Sequence, residues 1–497
     1  MIFLRHPLPI FYNAMLLTVV NLLLRLVGTS FQVFLSNQIG AAGVGLLQLV
    51  MSVGGLAVVA GVAGIRTATM YLTAEELGKN KPHNIIWILS GCFLYSILCS
   101  GSIALLLYKS APWIAQNWVN DSRTLYALQL FAAFLPIICL CNVMVGYFTA
   151  ANRISTLAIV EVAEQLVSMV VTLTSLFLWA GRNPIRACMC VILGSCISTG
   201  VTLLCLIFLR LNEKPAIRDV IPVRRRIEST AIPLALADIL KSGINTVENL
   251  MVPKRLALNL RTANPLAAFG MVNGMVFPIL MFPACILFGL NELLIPELAR
   301  CAAAGSKKRI SYLIRRSLRI ALLYGLLFSG LEFLLADWLC FRLYQNDAAG
   351  QFLKLYSLLI PMLYCDAITD AMTKGLGQQK ICVRYNILTS ALDVLFLYLL
   401  LPAQGMTGYF ISFTVTHLIN FILSLRLLLK ITGESIPFYI PALAISASLL
   451  AGLGACTFAV PLWKSISYIA LWGSLLYLFR IAGMEDIHWI RGLICKK

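Results

Sequence analysis

Charged residues are scarce in this chain. They make up 12% of its 497 residues, about half the share in soluble domains. With 60% of the residues hydrophobic, a water-soluble globular protein is excluded. Histidine is scarcer still. His6, His83, His417 and His488 lie far apart, so neither a metal cluster nor a nucleophile triad can be read. The 15 cysteines include no CxxC pair and give no disulfide framework; most sit in apolar stretches as small packing residues. Gly40, Gly43 and Gly45 miss the GxGxxG spacing, which excludes a nucleotide loop. Long polar segments are missing too, so no separate soluble domain or large external catalytic loop is expected. The first apolar stretch is full length and carries Arg25, so no cleavable signal peptide is expected.

What is present is a succession of about fourteen apolar stretches, each near the roughly 20 residues that span a bilayer. Helices are expected over roughly 14–37, 44–72, 85–108, 125–148, 157–180 and 185–209. A second series covers roughly 230–251, 266–290, 320–336, 352–372, 385–401 and 406–429, and two more run over about 439–460 and 465–481. The net charge of +18 does not point to nucleic acid, because the basic residues gather in alternate loops. One loop holds Arg210, Lys214, Arg218 and Arg224 to Arg226; another runs from Arg300 to Arg319. That bias places both termini in the cytoplasm.

The two series echo each other. Gly45 and Gly64 are spaced as Gly270 and Gly289 are, and Leu135-Pro136 answers Ile360-Pro361. The expected fold is an all-α polytopic membrane protein with two six-helix lobes, as parallel pseudo-repeats, plus two C-terminal helices. Its parts are a lobe at 1–212, a basic cytoplasmic linker at 213–228, a second lobe at 229–432 and the extra helices and tail at 433–497.

Arg25, Arg66 and Lys241 fall inside expected spans. A cation at mid-bilayer costs roughly 2.5–3.5 kcal/mol even on the lenient insertion scale, so it persists facing a polar cavity or a partner. One reading is a path for an anionic substrate. The other is that Arg25 and Arg66 pair with carboxylates or helix-end carbonyls. Lys254, Arg255 and Arg261 fit the outer surface. Asp238, Glu248, Asp366, Asp370 and Asp393 are the intramembrane acids. Asp238 and Lys241 share a helix face. Asp238 and Asp393, with Thr389 and Thr414, form a candidate cation or proton coupling set. Glu161 and Glu164 fit the positive end of a helix.

Several motifs carry a family resemblance. They are Arg25-Leu26-Val27-Gly28, Ile39-Gly40, Gly43 to Leu46, Gly146-Tyr147-Phe148, Glu161 to Gln165 and Pro253 to Leu256. Further along come Gly375 to Gln379, and Arg384 to Leu388 with Asp393 after it. In order and over essentially the whole chain, they resemble the multidrug/oligosaccharidyl-lipid/polysaccharide exporter superfamily, in its stage V sporulation protein B-like branch of polysaccharide flippases. The resemblance implies fourteen helices, alternating access and export of a lipid-linked sugar such as a peptidoglycan precursor. It also implies that Arg25, Arg66 and Lys241 meet the substrate's diphosphate. Drug extruders of the superfamily usually stop at twelve helices, so the last two favour the lipid-linked branch.

The expected function is therefore a flippase of the bacterial inner membrane, not an enzyme. No cofactor is expected beyond a coupling ion, Na+ or H+. The expected partners are the lipid-linked sugar, membrane lipids and cell-wall polymerases, with no nucleic acid. A drug or cation antiporter of the same superfamily is the rival, and the mid-membrane cations argue against it.

Overall fold

Backbone amides in hydrocarbon have no water to bond, so a chain this apolar must satisfy them within helices. The computed structural model describes residues 8–78, 84–119, 121–151, 153–180, 183–211, 224–260, 262, 264–434, 439–479 and 481. Among them no strand forms.

The first two expected spans are one kinked element followed by a short helix, α1 (Leu8–Val62) and α2 (Ile65–Gly78). No loop separates 37 from 44. Gly40, at φ 70° and ψ 171°, kinks α1, and the helix stops only at Ala63 (φ 43°) and Gly64 (φ 71°). Holding an alanine left-handed costs roughly 1–2 kcal/mol, so tertiary packing must enforce this break. Next come α3 (Ile85–Trp113), α4 (Leu125–Ala150), α5 (Ile154–Ser175) and α6 (Pro184–Leu211), within a few residues of expectation. Most of the basic linker, with Lys214 and Arg218, lies outside the described residues, as does Arg261. The seventh helix, α7, runs over Arg224–Leu256.

The expected eighth span is broken. It comprises α8 (Pro265–Met271), a π-helical turn (Val272–Val276), α9 (Phe277–Leu280) and α10 (Ala284–Ala303). It bends by 66° before Ala284. Pro278 and Pro283 explain the position, since proline cannot donate to the preceding turn. The carbonyls at the bend are taken up by side chains. Tyr364 Oη donates to Leu280 O at 3.1 Å and Tyr324 Oη to Pro283 O at 2.8 Å. Tyr324 lies on α11 (Lys307–Tyr344). The tenth expected span is likewise split into α12 (Asp347–Ser357) and α13 (Ile360–Gly375), which carries Tyr364, with a 54° bend before Pro361. Four helices complete the chain: α14 (Gln379–Gln404), α15 (Met406–Thr432), α16 (Tyr439–Ala455) and α17 (Pro461–Leu478).

Eight helices among the described residues are long and apolar enough to cross a bilayer, ten if each bent pair crosses as one. The expected fourteen requires α1 and α2 to count as two spans and α7, α16 and α17 to be admitted. Charges along α7 remove it from the apolar set, and α16 has only 17 residues.

The chain divides into two compact units. The first is Met1–Gly274 with Val394–Gly408; the second is Met275–Asp393 with Tyr409–Lys497. Compactness therefore groups α7 and α8 with α1–α6, whereas the repeat divides the chain at the basic linker. One partition reports contacts and the other the order of elements. In the first unit Ile65, Leu72, Ile88, Met144, Phe148 and Ala231 belong to one core across α2, α3, α4 and α7. The sequence-equivalent glycines Gly45 and Gly270 lie face to face, bringing α1 and α8 to backbone distance. In the second unit Tyr468 of α17 is fully buried and its hydroxyl donates to Leu326 O of α11 at 3.0 Å. That bond fastens the last helices to α11.

A Cβ on Gly270 would strike Ala41 O and come within 2.5 Å of Gly45 N, both backbone atoms that cannot step aside. Gly270→Val is expected to cost at least about 1–3 kcal/mol, the usual range for overpacking. It should lower the apparent unfolding temperature of the purified protein by several degrees. Gly101→Ala, whose Cβ meets nothing within 4 Å, is the control and should not. Equal melting of the two variants overturns the close-packing account.

Candidate functional site

The three cations expected in spans all fall in the first unit, Arg25 on α1, Arg66 on α2 and Lys241 on α7, and α7 packs on both α1 and α2. Arg25 is half-buried, while Arg66 and Lys241 are exposed. Arg66 is the second residue after the break at Ala63-Gly64. Its backbone is clamped. A Cβ on Gly146 of α4 would come within 2.5 Å of Arg66 O, and one on Gly64 would strike Ala231 O of α7. A fixed backbone with an exposed guanidinium suits presentation of that group. The expected carboxylate neighbour exists, since Glu161 of α5 interacts electrostatically with Arg66 and with Glu164. Glu161 and Glu164 do not cap the start of α5 as expected; they lie about a third of the way and half-way along it. Thr199 Oγ1 donates to Glu164 Oε1 at 2.8 Å.

Two residues that sequence reasoning passed over belong with this set. Gln32 lies two turns beyond Arg25 on the same face of α1, and its side-chain amide donates to Gly274 O in the π turn at 3.4 Å. Thr246 Oγ1 of α7 donates to Ser52 O of α1 at 3.1 Å, locking the two helices one and a half turns beyond Lys241. The signal for Gln32 was its seven-residue spacing from Arg25. Asp238 is exposed in the first unit, and among the described residues no ion pair joins it to Lys241.

The second unit holds the acids. Asp393 of α14 is 6% exposed and accepts from Ser412 Oγ at 2.6 Å and Thr416 Oγ1 at 3.1 Å, both on α15. The hydroxyls expected beside it turn elsewhere. Thr389 donates to Tyr385 O at 2.9 Å on its own helix, and Thr414 to Phe410 O at 2.7 Å. Thr414 is out of phase with the Ser412–Thr416 face by two residues. That face continues to Asn420, whose amide donates to Asp366 Oδ1 and Oδ2 of α13 at 3.2 and 3.1 Å. Asn291 of α10 donates to the neighbouring Ala367 O at 3.4 Å. Ser412, Thr416 and Asn420 thus form an i, i+4, i+8 stripe that serves carboxylates on two other helices. This spacing of polar residues in an apolar helix was the legible signal.

A buried acceptor left unsatisfied costs about 1–3 kcal/mol. Ser412→Ala with Thr416→Val is therefore expected to lower stability by about 2 kcal/mol or more, read as a fall in apparent unfolding temperature. Thr414→Ala should stay within about 0.5 kcal/mol of wild type, the usual range for a substitution away from such contacts. The reverse order would mean that Asp393 is not held as described.

A family model for polysaccharide biosynthesis proteins matches residues 10–257, and the MatE model matches 233–399. Stage V sporulation protein B of Bacillus subtilis (strain 168) is 22% identical over 459 residues, covering 88% of this chain and 87% of that protein. Among solved structures, lipid II flippase MurJ in an inward closed conformation superposes with a TM-score of 0.71 at 13% identity, over 94% of this chain and 98% of that one. An inward-facing multidrug resistance MATE family transporter gives 0.67 at 14% identity, over 84% and 100%. Identities this low establish a shared fold. The matching families are transporters, not enzymes. The chain is a multi-pass membrane protein and belongs to the multidrug/oligosaccharidyl-lipid/polysaccharide exporter superfamily.

Proposed function

We infer that the protein flips a polyprenyl-diphosphate-linked sugar or peptidoglycan precursor across the bacterial cell membrane. It does so by alternating access between two six-helix lobes, 1–212 and 229–432. The observation that carries this reading is the placing of Arg25, Arg66 and Lys241 in one unit, on α1, on α2 and on the α7 that packs against both. Guanidinium groups meet phosphate oxygens bidentately, and a low-dielectric surround strengthens the contact. The names of its relatives, a lipid II flippase and a sporulation protein, agree with a lipid-linked substrate for cell-wall or spore-envelope synthesis.

The Asp393–Ser412–Thr416 group is our candidate for the coupling site, with Asp238 as the acid of the first unit. A carboxylate, two hydroxyls and helix carbonyls suit Na+ or H+. A drug or cation antiporter is the second reading. The acids of the second unit and the MATE neighbours favour it, and efflux of a cationic dye would reveal it.

Fluorescent lipid-linked sugars in proteoliposomes test the main reading. Wild type should flip them, and Arg25→Ala and Arg66→Ala should each slow flipping at least about tenfold, the equivalent of about 1.4 kcal/mol of lost anion contact. Unchanged flipping by folded variants removes the diphosphate role. Dye efflux without flipping transfers the protein to the antiporter reading.

A further inference from the structure

Among the described residues of the second unit, one buried carboxyl has neither a hydrogen-bond nor an ion-pair partner. Glu332 of α11 is 5% exposed, and its Oε2 bonds to no donor. The other acids described in that unit are bonded or exposed. Asp393 and Asp366 accept from the α15 stripe. Asp370 pairs with Lys374 at 2.6 Å, Glu297 with Arg309 at 2.5 Å and Glu434 with Arg315 at 2.6 Å. Asp337 pairs with Lys354, and Asp347 is exposed.

The surroundings hold no compensating charge. Along α11 the nearest charges are Arg319, about 20 Å towards the start of the helix, and Asp337, about 7.5 Å beyond Glu332. The helices packed on α11 are α10, α12, α13, α16 and α17. Their described cations are Arg300, Lys354, Lys374 and Lys464, and none pairs with Glu332. Arg300 lies 4.0 Å from Glu297, and Lys354 and Lys374 hold Asp337 and Asp370. The hydroxyls of Tyr324, Tyr364 and Tyr468 are given to main-chain carbonyls. Tyr324 and Cys340 of α11 itself interact with Glu332 electrostatically. Apart from the bonded acids, the remaining titratable groups described on these helices are thiols such as Cys285 and phenols such as Tyr356, uncharged at neutral pH.

An ionised carboxylate with neither cation nor donor is too costly to bury, so Glu332 is carried as the neutral acid. Packing does not call for an acid at this position, because it fastens to no neighbour. Its place in the fold does give it a use. Gly325, Ser329, Glu332 and Ala336 share the buried face of α11. A Cβ on Gly325 would come within 2.7 Å of Pro361 Cα, and one on Gly350 within 3.0 Å of Asp337 Cα. These contacts run α11 antiparallel to the bent pair α12–α13, with Glu332 between them, near the last turn of α12 and the 54° bend. Element ends at such a bend absorb the backbone rotation when a protein changes shape. We propose that Glu332 is a proton-binding site of the transport cycle, sealed as the neutral acid in the conformation described here and opened to water when the neighbouring bend moves. Uptake forms one O–H bond on a carboxylate oxygen with a proton from water, and release breaks that bond and returns the proton to water. Intramembrane carboxyls serve as proton relays in pumps and transporters. The inference rests on the transport reading above and adds a proton site on α11, apart from the Asp393–Ser412–Thr416 group of α14 and α15.

Infrared spectra of the full-length protein in lipid membranes read this carboxyl directly. At neutral pH wild type should show the carbonyl band of a neutral carboxylic acid, and Glu332→Gln should lack it. In heavy water the band should shift, because a site that opens to water exchanges its proton. Glu332→Asp keeps the acid and moves the band, which assigns it if Glu332→Gln does not fold. In proteoliposomes carrying a fluorescent lipid-linked sugar, flipping by wild type should follow an imposed pH gradient, and flipping by Glu332→Gln should continue without following it. Absence of the band in wild type overturns the proposal, as does a band that heavy water leaves in place, which would mark a permanently sealed acid. Wild-type flipping that ignores the gradient, or Glu332→Gln flipping that still follows it, overturns it as well. The infrared arm needs no substrate. A wild type that flips no sugar but shows an exchanging band loses the flippase reading and keeps the proton site.

Discussion

Hydrocarbon offers a backbone amide no partner, and each unsatisfied group costs several kcal/mol. That constraint governs where this chain can interrupt a helix. The break at Ala63-Gly64 is closed on both sides, with Ala63 N donating to Val59 O and Ala68 N to Gly64 O, each at 3.1 Å. The sharper bend between α9 and α10 interrupts the helical ladder, and Pro283 O keeps only a long backbone bond from Ile286 N at 3.3 Å. Two tyrosine hydroxyls from α11 and α13 reach in to bond carbonyls there. Each interruption is therefore held by neighbouring helices, and bends of this kind belong to the packed protein, not to an isolated span. A transporter needs irregular helices to change shape, and buried tyrosines are the means by which this one tolerates them.

The same rule applied to side chains separates the two units. Two carboxylates of the second unit meet donors on the α15 stripe, Asp393 from Ser412 and Thr416, and Asp366 from Asn420, whereas the buried Glu332 of α11 leaves Oε2 without a hydrogen bond among the described residues. In the first unit the cationic heads of Arg66 and Lys241 are exposed, and at Arg66 the helices clamp the backbone instead. The second unit thus holds Asp393 and Asp366 through side-chain donors, and the first leaves two cationic heads exposed.

The order of helices and their rough extents were legible, because apolar stretches of fixed length are the strongest pattern a sequence can carry. The interruptions were less so. Pro278, Pro283 and Pro361 stand at the bends, yet Pro136 sits inside the unbroken α4, and nothing marks Ala63, whose left-handed backbone only tertiary contact explains. The coupling set shows a different shortfall. Asp393 is legible from its charge, and Thr389 stands one turn before it in the sequence. Thr389 and Thr414 were plausible hydroxyls, yet helical phase puts Ser412 and Thr416 on the face that meets α14. Phase between two helices depends on how they roll against each other, which no single stretch records. The polar i, i+4, i+8 spacing of Ser412, Thr416 and Asn420 could have given the right face without the roll.

The helix that fails the test of apolarity is the one that most constrains function. Ala231, Ala235, Thr246 and Leu250 give α7 a buried stripe, which is all that packing requires of it. Asp238, Lys241, Asn245 and Glu248, spaced by three, four and three residues, run along one flank of that stripe. A helix retained only for packing would carry apolar residues there, since each mid-bilayer charge costs roughly 2.5–3.5 kcal/mol. No ion pair joins Asp238 to Lys241 among the described residues, so mutual neutralisation of those two does not account for their retention. The departure from apolarity in α7 is thus concentrated on one flank of a helix that packs on both α1 and α2.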